Sequence, residues 1–567
     1  MKILKTILRH ALVLGFYVLI TCLFTTPLIT QFRDHIIGGH GDNLYFAWLV
    51  NWYERIFTHG LRSPFFNPNM NYPEGWNLST TDTAPASVMP GSVASVFLGP
   101  IAGYNLAMLL TFVLSGWTMY LWVYHNTRNN IASVLSGTIF MVLPYRMAHF
   151  LIGHLNLSGT QWIPLLFLGL QGLIQGGMRK FQAALLAGLA LGLIAFTSMY
   201  YLYMTLLIAG VFALILLIAT RLRRLKESQF WLEIALFVIV ALPFIYFAMR
   251  PFINLADAGV ITTRDWTYIN EYSASPLDYL LPSTDHFLVG QWVGDHFNRE
   301  LWPEVTLFIG FASLGLLIYW LFNKNKDFSK PIVFSVLIAG LVAFIFSLGP
   351  TLHWNGRPVL TNPADPESFI YLPAYWAIHK FPFFDRMRAI ARFGLYPGMF
   401  AAFISGISAA MILGRTRKRA VLFGVTLIAA VLFEFYPGSY QKDISLVEPR
   451  PIDLWLRDQQ VPSPVVYFPV ESNQNQFNIF ATYYNGQPIY GGLFSANKPY
   501  QYQYTEEPLS HFPTEESVKI LRELGFKYAL VSVPSYENIA EFRPTLASMG
   551  INYVDTVGDY QIYDLGR

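Results

Sequence analysis

Long apolar stretches alternate with short polar ones over the first 437 residues of the chain. A helix that crosses a membrane needs about 20 mostly apolar residues. On that basis the pattern predicts eleven spans, at residues 8–30, 104–124, 131–146, 160–177, 181–198, 200–220, 230–249, 304–323, 331–349, 393–414 and 419–437. Residues 86–103 are also apolar, but Pro90, Gly91, Gly99 and Pro100 interrupt them. We interpret this segment as re-entrant or interfacial.

The distribution of Lys and Arg predicts which side of the membrane each loop faces. These residues accumulate in short cytoplasmic loops. The chain has six basic clusters, at 1–10, 126–130, 176–180, 221–226, 323–326 and 415–419. All six clusters lie on the same side of the membrane only if residues 86–103 do not cross it. The N-terminus is then cytoplasmic, with a retained first span, and the long loops 31–103, 250–303 and 350–392 face outward together with the tail.

The tail, residues 438–567, has the pattern of a soluble α/β domain. Residues 465–470 and 527–533 are rich in Val and Tyr and predict strands. Residues 514–525 predict a helix with Thr514 as N-cap and Gly525 as its C-terminal stop. A second helix near 536–548 and a hairpin over 551–565 complete the module. The fold class is therefore mainly α: a polytopic transmembrane helix bundle over 1–437 with a small C-terminal α/β extracytoplasmic domain over 438–567.

Composition supports this assignment. The 567-residue chain is 54% hydrophobic and 13% charged, whereas a soluble domain carries roughly 25% charged residues. The protein is therefore expected in the cell membrane, with membrane lipids around it. Its net charge of +3 gives no reason to expect nucleic acid as a partner. The single cysteine, Cys22, excludes an intrachain disulfide.

One acid, Asp42, precedes an aromatic, helix-like stretch in the first outward loop, HGDNLYFAWLVNW. Asp is a favoured N-cap, and Leu44, Trp48 and Trp52 at four-residue steps suit a helix lying in the membrane interface. A carboxylate fixed at the outer face is also well placed for a general base or a metal ligand. The local sequence leaves both interpretations open.

Two further groups of outward residues are candidates for substrate contact. His149 and His154 are five residues apart, which differs from the i,i+4 spacing of a helical zinc pair. We expect His154 to contact substrate, although an interfacial histidine is more often a simple hydrogen-bonding group. Tyr200 and Tyr201, in SMYYLYM, either line a sugar site or belong to an ordinary aromatic belt.

Arginines are concentrated before the tenth predicted span, on the side where basic residues are usually scarce. Arg386, Arg388 and Arg392 lie in FPFFDRMRAIARF, and a helix would place Arg388 and Arg392 on one face. Guanidinium groups bind phosphate in bidentate fashion. The alternative is a salt-bridged loop that includes Asp385.

Four short motifs together resemble the GT-C glycosyltransferase superfamily, in particular its poorly characterised prokaryotic branch. They are GD-N-x(4)-W from Gly41, P-x-G within Tyr72–Gly75, GH-x-N-x(5)-W-x-P-L from Gly153 to Leu165, and R-x-x-x-R-F from Arg388 to Phe393. Their order and sidedness match this superfamily of polytopic enzymes, which have a large first extracytoplasmic loop with an acid soon after span one.

The resemblance implies a hexosyl- or pentosyltransferase that moves a sugar from a polyprenyl-phosphate donor, with inversion, on the outer face of the membrane. Asp42 would be the general base, and His154, Asn156, Tyr200, Tyr201 and the three arginines would bind substrate. The acceptor would be an envelope glycan, a lipid or a protein. No cofactor is certain. A requirement for a divalent metal stays open, since the first loop lacks the tight D-x-D pair of metal-using relatives and only Asp82 follows Asp42 there.

Two other classes of function fit parts of the pattern. A transporter or flippase of lipid or solute would also be polytopic, but such proteins usually show internal repeats and ionisable residues near the bilayer midplane. A non-catalytic envelope protein of the same fold is the other alternative. The presence of Asp42 argues mildly against this non-catalytic alternative.

Overall fold

The computed structural model describes residues 2–60, 63–179, 181–257, 263–323, 330–381, 384–415, 420–460, 462–470, 475–494 and 498–566. The predicted basic clusters at 323–326 and 415–419 lie mostly outside these residues.

Helices dominate the described chain, as the apolar pattern predicts. Their bounds are α1 Lys2–Phe24, α2 Asp42–Thr58, α3 Pro85–Leu98, α4 Pro100–Thr127, α5 Asn130–Met141, α6 Pro144–Leu151, α7 Leu155–Ser158, α8 Trp162–Gln175, α9 Gln182–Ala195, α10 Met199–Ala219, α11 Ser228–Asp257, α12 Trp266–Glu271, α13 Gly290–His296, α14 Trp302–Val305, α15 Phe311–Phe322, α16 Lys330–Ser347, α17 Pro373–Lys380, α18 Leu395–Arg415, α19 Ala420–Phe435, α20 Pro451–Arg457, α21 Asn475–Asn485, α22 Tyr500–Ser510, α23 Glu515–Glu523 and α24 Ile539–Ser548.

Each of the eleven predicted spans coincides with a helix or a helix pair. Within the described residues, eight helices are long and apolar enough to cross a membrane, and the number is nine if α5 and α6, bent by 41° at their junction, form one span. α9 and α15 are apolar but shorter. The protein is thus an integral membrane protein, and the count of eleven crossings stays a prediction.

The strands are short. Their bounds are β1 His35–Ile37, β2 Phe66–Asn67, β3 Trp76–Asn77, β4 His353–Trp354, β5 Arg357–Pro358, β6 Ile444–Leu446, β7 Val465–Phe468, β8 Tyr528–Ser532, β9 Asn552–Val557 and β10 Tyr560–Asp564. One sheet has four strands in the order β7-β8-β10-β9, with β7 and β8 parallel and β10 antiparallel to both of its neighbours.

The chain divides into two compact units. The first comprises 1–29, 108–250 and 262–442, and the second comprises 30–107, 251–261 and 443–567. In the first unit α8 packs on α9, α10 on α16, and α18 on both α5 and α15. Residues 30–107 belong to the same compact unit as residues 443–567, and the predicted domain boundary at 437/438 stays a prediction.

Backbone pairing holds the loop and the tail together in the second unit. β1 pairs antiparallel with β6, with His35 opposite Leu446. Further along, the Tyr72 amide donates to Ile489 O at 3.0 Å, and the Tyr72 ring packs on the apolar core of the tail. Pairings between residues about 400 positions apart leave no local signal in the sequence.

The secondary structure predicted for the tail is confirmed. β7, β8, α23 and α24 lie where the pattern places them, and β9 and β10 form the hairpin. The Thr514 side chain accepts a hydrogen bond from Ser517 N at 3.2 Å, so Thr514 is the N-cap of α23. Local propensity and capping are enough to determine these elements.

The interrupted apolar segment 86–103 is two helices. α3 continues through Pro90 and ends at Leu98, and α4 begins at Pro100 after Gly99, whose φ is +87°. A Cβ on Gly91 would lie 2.4 Å from Gly103 O. The absent side chain therefore lets α3 and the start of α4 pack backbone against backbone.

Candidate active-site residues

Asp42 is the first residue of α2, and Gly41 is its N-cap. The predicted N-cap role of Asp42 is therefore wrong. The neighbouring Asn43 makes the local contacts instead: its Oδ1 accepts from Gly41 N at 3.0 Å and Leu44 N at 2.8 Å, and its Nδ2 donates to Gly39 O at 2.8 Å. A carboxylate in the first turn still gains from the positive end of the helix dipole.

Most aromatic residues of α2 are inside the protein, although Phe57 near its C-terminal end is exposed. Trp48 and Trp52 are both buried, and their stacked ring centroids lie 6.0 Å apart. Trp48 also stacks on Trp76 of β3 at 5.9 Å. Trp48 and Trp52 therefore pack α2 against the rest of its unit, and the position of this helix in the membrane interface stays a prediction.

Asp42 is half-buried beside tyrosine hydroxyls. Tyr45, one turn further along α2, is buried and bonds Thr81 through its hydroxyl at 2.7 Å. Burial raises the pKa of Tyr45, and the nearby carboxylates of Asp82 and Asp42 add to that rise. Two acids far apart in the loop sequence thus act on the same hydroxyl group.

Over the ranges that the structure describes, no three His, Cys, Asp or Glu side chains come close enough together to hold a metal ion.

His154 lies at the N-terminal end of α7, folded back on His149 of α6. Gly153, with φ +80°, allows the reversal after α6 ends at Leu151. The His154 amide donates to His149 O at 2.9 Å, and the two Nδ1 atoms are 3.0 Å apart. The five-residue spacing argued against a histidine pair on a continuous helix, but the helix break brings the two rings together.

The neighbouring candidates Asn156 and Tyr201 are buried. Asn156 lies in α7. The Tyr201 hydroxyl donates to Leu157 O at 2.6 Å and lies 3.3 Å from the hydroxyl of Tyr145. Tyr201 therefore holds α7 in place from inside the unit, and it presents no surface to solvent.

Arg392 is buried and paired with Glu304 of α14. Its Nε lies 2.9 Å and 3.1 Å from the two carboxylate oxygens of Glu304, and only 4% of Arg392 is exposed. The guanidinium also lies over the ring of Tyr200, 4.7 Å from its centroid. Arg392 thus has its counter-charge within the protein, which leaves its positive charge largely neutralised.

Arg386 and Arg388 have different surroundings from Arg392. Both are half-buried, and the guanidinium of Arg388 lies 5.0 Å from the centroid of the Tyr272 ring. The structure forms 3₁₀ turns at Phe384–Arg386 and Ile390–Gly394, with Arg388 between them. The prediction that Arg388 and Arg392 share a helix face is therefore wrong.

Sequence reasoning missed Glu304 and the buried Arg146. Arg146 donates to three backbone carbonyls, Thr111 O at 3.1 Å, Ser158 O at 3.0 Å and Met141 O at 2.5 Å. It thereby joins α4, the end of α5 and the end of α7. The sequence did contain a signal for both residues. Arg146 is a charged residue at the end of the predicted span 131–146, and Glu304 is one at the start of the predicted span 304–323.

Comparison with known proteins assigns the family. Residues 12–436, more than half of the chain, match the family described as a domain of unknown function, DUF6311. The chain belongs to the DUF6311 family. No curated protein matches this DUF6311 protein.

Solved structures establish its fold. The arabinofuranosyltransferase AftD from Mycobacteria superposes with a TM-score of 0.57 at 14% identity, over 98% of this chain and 40% of AftD. ArnT from Cupriavidus metallidurans, in a structure bound to undecaprenyl phosphate, superposes with a TM-score of 0.51 at 12% identity, over 99% of this chain and 98% of ArnT. The DUF6311 protein thus spans about two fifths of AftD. Its fold is that of the GT-C glycosyltransferases, as the motifs predict.

Proposed function

We propose that this protein is a membrane glycosyltransferase that moves a sugar from a polyprenyl-phosphate donor to an acceptor outside the cytoplasm. The observation that carries the proposal is the half-buried Asp42 at the start of α2, in the first loop of a chain with the GT-C fold. ArnT shares that fold and has been solved with undecaprenyl phosphate.

Asp42 is the proposed general base. A sugar linked to a lipid phosphate already carries its leaving group, so the enzyme has to remove one proton from the acceptor hydroxyl as that hydroxyl attacks the anomeric carbon. Attack from the face opposite the phosphate inverts the configuration at that carbon. The first turn of α2 holds the carboxylate in place.

Arg386 and Arg388 are the proposed ligands of the donor phosphate. Guanidinium groups suit phosphate because they offer parallel N–H donors and stay charged. Arg392 was expected in the same role, but Glu304 already accepts its hydrogen bonds. We therefore assign Arg392 to the support of this segment and give the phosphate contact to the other two arginines.

His154, Asn156 and Tyr200 are the proposed contacts to the sugar. They supply an imidazole, an amide and an aromatic ring, which are groups that hydrogen-bond hydroxyls or pack on a sugar ring. Tyr201 contributes by fixing the Leu157 carbonyl, and thus α7. The transferred sugar is a hexose or a pentose, and the acceptor is an envelope glycan, a lipid or a protein.

The proposal requires the loops and the tail to face outward. A reporter that is active only in the cytoplasm, fused to the C-terminus, should be silent, and the same reporter fused at the N-terminus should be active. Cytoplasmic activity of the C-terminal fusion would place the tail inside and remove the outward active site.

The activity itself is tested in two steps. A deletion strain should accumulate an unused polyprenyl-phosphate sugar, which mass spectrometry of extracted lipids identifies. The purified protein, in detergent and with that lipid, should then form a glycosylated product and free polyprenyl phosphate. A transporter needs a sealed compartment to act, so covalent transfer in detergent separates the two functions. No product with any lipid-linked sugar of the strain would contradict the proposal.

A further inference from the structure

Two arginines of the first unit lie around one aromatic ring at the predicted cytoplasmic ends of α1 and α4. Arg9 of α1 donates from Nη1 to the hydroxyl of Tyr124 in α4 at 2.6 Å, and its guanidinium carbon lies 4.3 Å from the centroid of that ring. Arg128, in the turn after α4, lies 5.7 Å from the same centroid. Both distances are in the range of a cation–π interaction. Two of the predicted basic clusters, 1–10 and 126–130, therefore meet at Tyr124.

Neither of these arginines has a carboxylate as its counter-charge. The sequence contains no Asp or Glu at 1–33 or 83–226, so α1 and all helices from α4 to α10 lack acids. Among the described residues, no carboxylate forms an ion pair with either guanidinium group. Arg224, in another predicted cytoplasmic cluster, is paired with Glu227 and Glu233, the latter at 2.7 Å. Like charges held close together repel each other, so an anion bound between Tyr124 and solvent would stabilise this arginine pair.

Both guanidinium groups keep N–H donors for a ligand. The contacts of Arg9 with the Tyr124 hydroxyl and with His10 Nε2, at 3.3 Å, use one N–H on each terminal nitrogen, and each of these nitrogens carries a second N–H. Arg128 is exposed, and its guanidinium contacts the face of an aromatic ring, which takes up none of its N–H donors. The pair can therefore donate to several oxygens of one anion.

The backbone at Arg128 has a conformation that favours glycine. Its φ is +53°, and its amide donates to Tyr124 O at 3.0 Å, so Arg128 ends α4 as a left-handed cap. A side chain in this conformation introduces strain that glycine avoids. The same turn brings the Arg128 guanidinium back over the ring one helical turn earlier. Strain of this kind suggests that the side chain has a use at this position.

The arginine pair lies beside a surface that faces lipid. Only 28% of the α1 span is buried inside the protein, against 72% of the α4 span. Leu12, three residues after Arg9 and thus on a neighbouring part of the same helix face, is 67% exposed, and Leu19 is exposed as well. In an integral membrane protein such side chains contact acyl chains. Arginines at the ends of two spans then lie where the phosphate groups of the bilayer are.

We propose that Arg9 and Arg128 bind the phosphate group of an anionic glycerophospholipid, whose acyl chains lie along the exposed face of α1. Guanidinium groups suit phosphate oxygens because they offer parallel N–H donors, and basic pockets at the cytoplasmic ends of spans bind anionic head groups. Tyr124 is a positioning residue that holds Arg9. The lipid joins the weakly buried α1 to α4. This site does not depend on the proposed transfer of a sugar.

Lipid titration of the full-length protein in detergent tests the choice of ligand. Native mass spectrometry measures the dissociation constant, and thermal unfolding measures the stabilisation that follows from binding. We expect dioleoylphosphatidylglycerol to bind more tightly than dioleoylphosphatidylcholine and to raise the unfolding temperature more. Equal binding of the two lipids would overturn the proposal. Inorganic phosphate at the same concentration should have no effect, and stabilisation equal to that by phosphatidylglycerol would assign the site to a free anion.

The Arg128→Gly variant separates ligand binding from a structural role. Glycine suits a φ of +53°, so the variant should unfold at about the parental temperature when no lipid is added. Its dissociation constant for phosphatidylglycerol should rise roughly tenfold, since a hydrogen bond to a charged group is lost. Arg128→Lys keeps the charge but has no planar fork, and its affinity should lie between those of the parent and Arg128→Gly. Parental affinity in Arg128→Gly would overturn the proposal.

Two further variants test whether the arginines act as one site. Arg9→Gln should weaken binding of phosphatidylglycerol about as much as Arg128→Gly does, roughly tenfold. Arg223→Gln is the matched control, because it removes an exposed arginine from another predicted cytoplasmic cluster, and it should change the affinity by less than about twofold. An equal loss in Arg223→Gln would show that the overall charge attracts the lipid. Parental affinity in Arg9→Gln would contradict the paired site.

Discussion

Asp42 and Glu304 are both carboxylates near an end of a helix, yet their surroundings differ sharply. Glu304 is buried and accepts hydrogen bonds from Arg392. Asp42 is half-buried and lies near tyrosine hydroxyls. An acid that is neutralised inside the protein stabilises the fold, while an acid with a partly open side can exchange a proton with a substrate.

The same contrast separates the arginines. Arg392 and Arg388 lie four residues apart, but the guanidinium of Arg392 is bound to Glu304, while that of Arg388 lies over the Tyr272 ring. From the sequence, Arg388 and Arg392 were equivalent candidates, because they are the same residue type and lie on the same predicted side of the membrane. We therefore expect substitutions of Glu304 and Arg392 to affect stability, and those of Asp42 and Arg388 to affect activity.

The Asp42→Asn substitution should have the largest effect on the rate of transfer. Asn cannot take the acceptor proton, and the loss of a positioned base costs roughly 10²–10⁴-fold in rate. The loss of a charge in the first turn of α2 should cost only about 0.3–1 kcal/mol of stability. Transfer assays and thermal unfolding in detergent measure the two effects. Asp34→Asn, at an exposed acid in the same loop, is the control and should retain activity. Parental turnover in Asp42→Asn would refute the base assignment.

The Glu304→Gln substitution should instead destabilise the protein, by about 3–5 kcal/mol, because it leaves the buried Arg392 charge unpaired. The double variant Glu304→Gln/Arg392→Met removes both charges and should recover part of that loss. Thermal unfolding of the parent, the single and the double variants measures the coupling. If Glu304→Gln were as stable as the parent while transfer disappeared, Glu304 would belong with Asp42 as a chemical group.

The Arg388→Ala substitution should weaken donor binding by about 1.5–3 kcal/mol, the value of one hydrogen bond to a charged group. Binding of undecaprenyl phosphate to the purified protein measures this effect. The matched comparison is Arg392→Met, which should lower thermal stability more than Arg388→Ala does. An Arg388→Ala variant that binds the lipid as tightly as the parent would leave the phosphate role to Arg386.

The Tyr45→Phe substitution should have the smallest effect. It removes the hydroxyl that bonds Thr81 near Asp42, and one neutral hydrogen bond contributes about 0.5–1.5 kcal/mol. Thermal unfolding should register this loss, with Tyr104→Phe as a comparison at the second tyrosine near Asp42. A rate loss as large as that of Asp42→Asn would mean that the Tyr45 hydroxyl itself takes part in the chemistry.

Much of the architecture was determined by the sequence alone. Apolar runs of about 20 residues can be stable only in a membrane or a large core, so their helices follow from composition and length. The tail helices and strands likewise follow from caps and from residues that favour strands, as Thr514 and Val465–Phe468 illustrate. The four motifs, read in order, indicated the GT-C fold that the solved structures share.

Only the tertiary structure decided which charges and which strands pair. Glu304 binds Arg392, 88 residues further along the chain, and β1 pairs with β6, about 400 residues further along. No local pattern encodes these distances, because they depend on how whole helices pack. The His149–His154 contact is local, but it depends on the backbone turn at Gly153, which a helical wheel cannot represent. The sequence thus supplied the candidate groups, and packing decided which of them pair inside the protein.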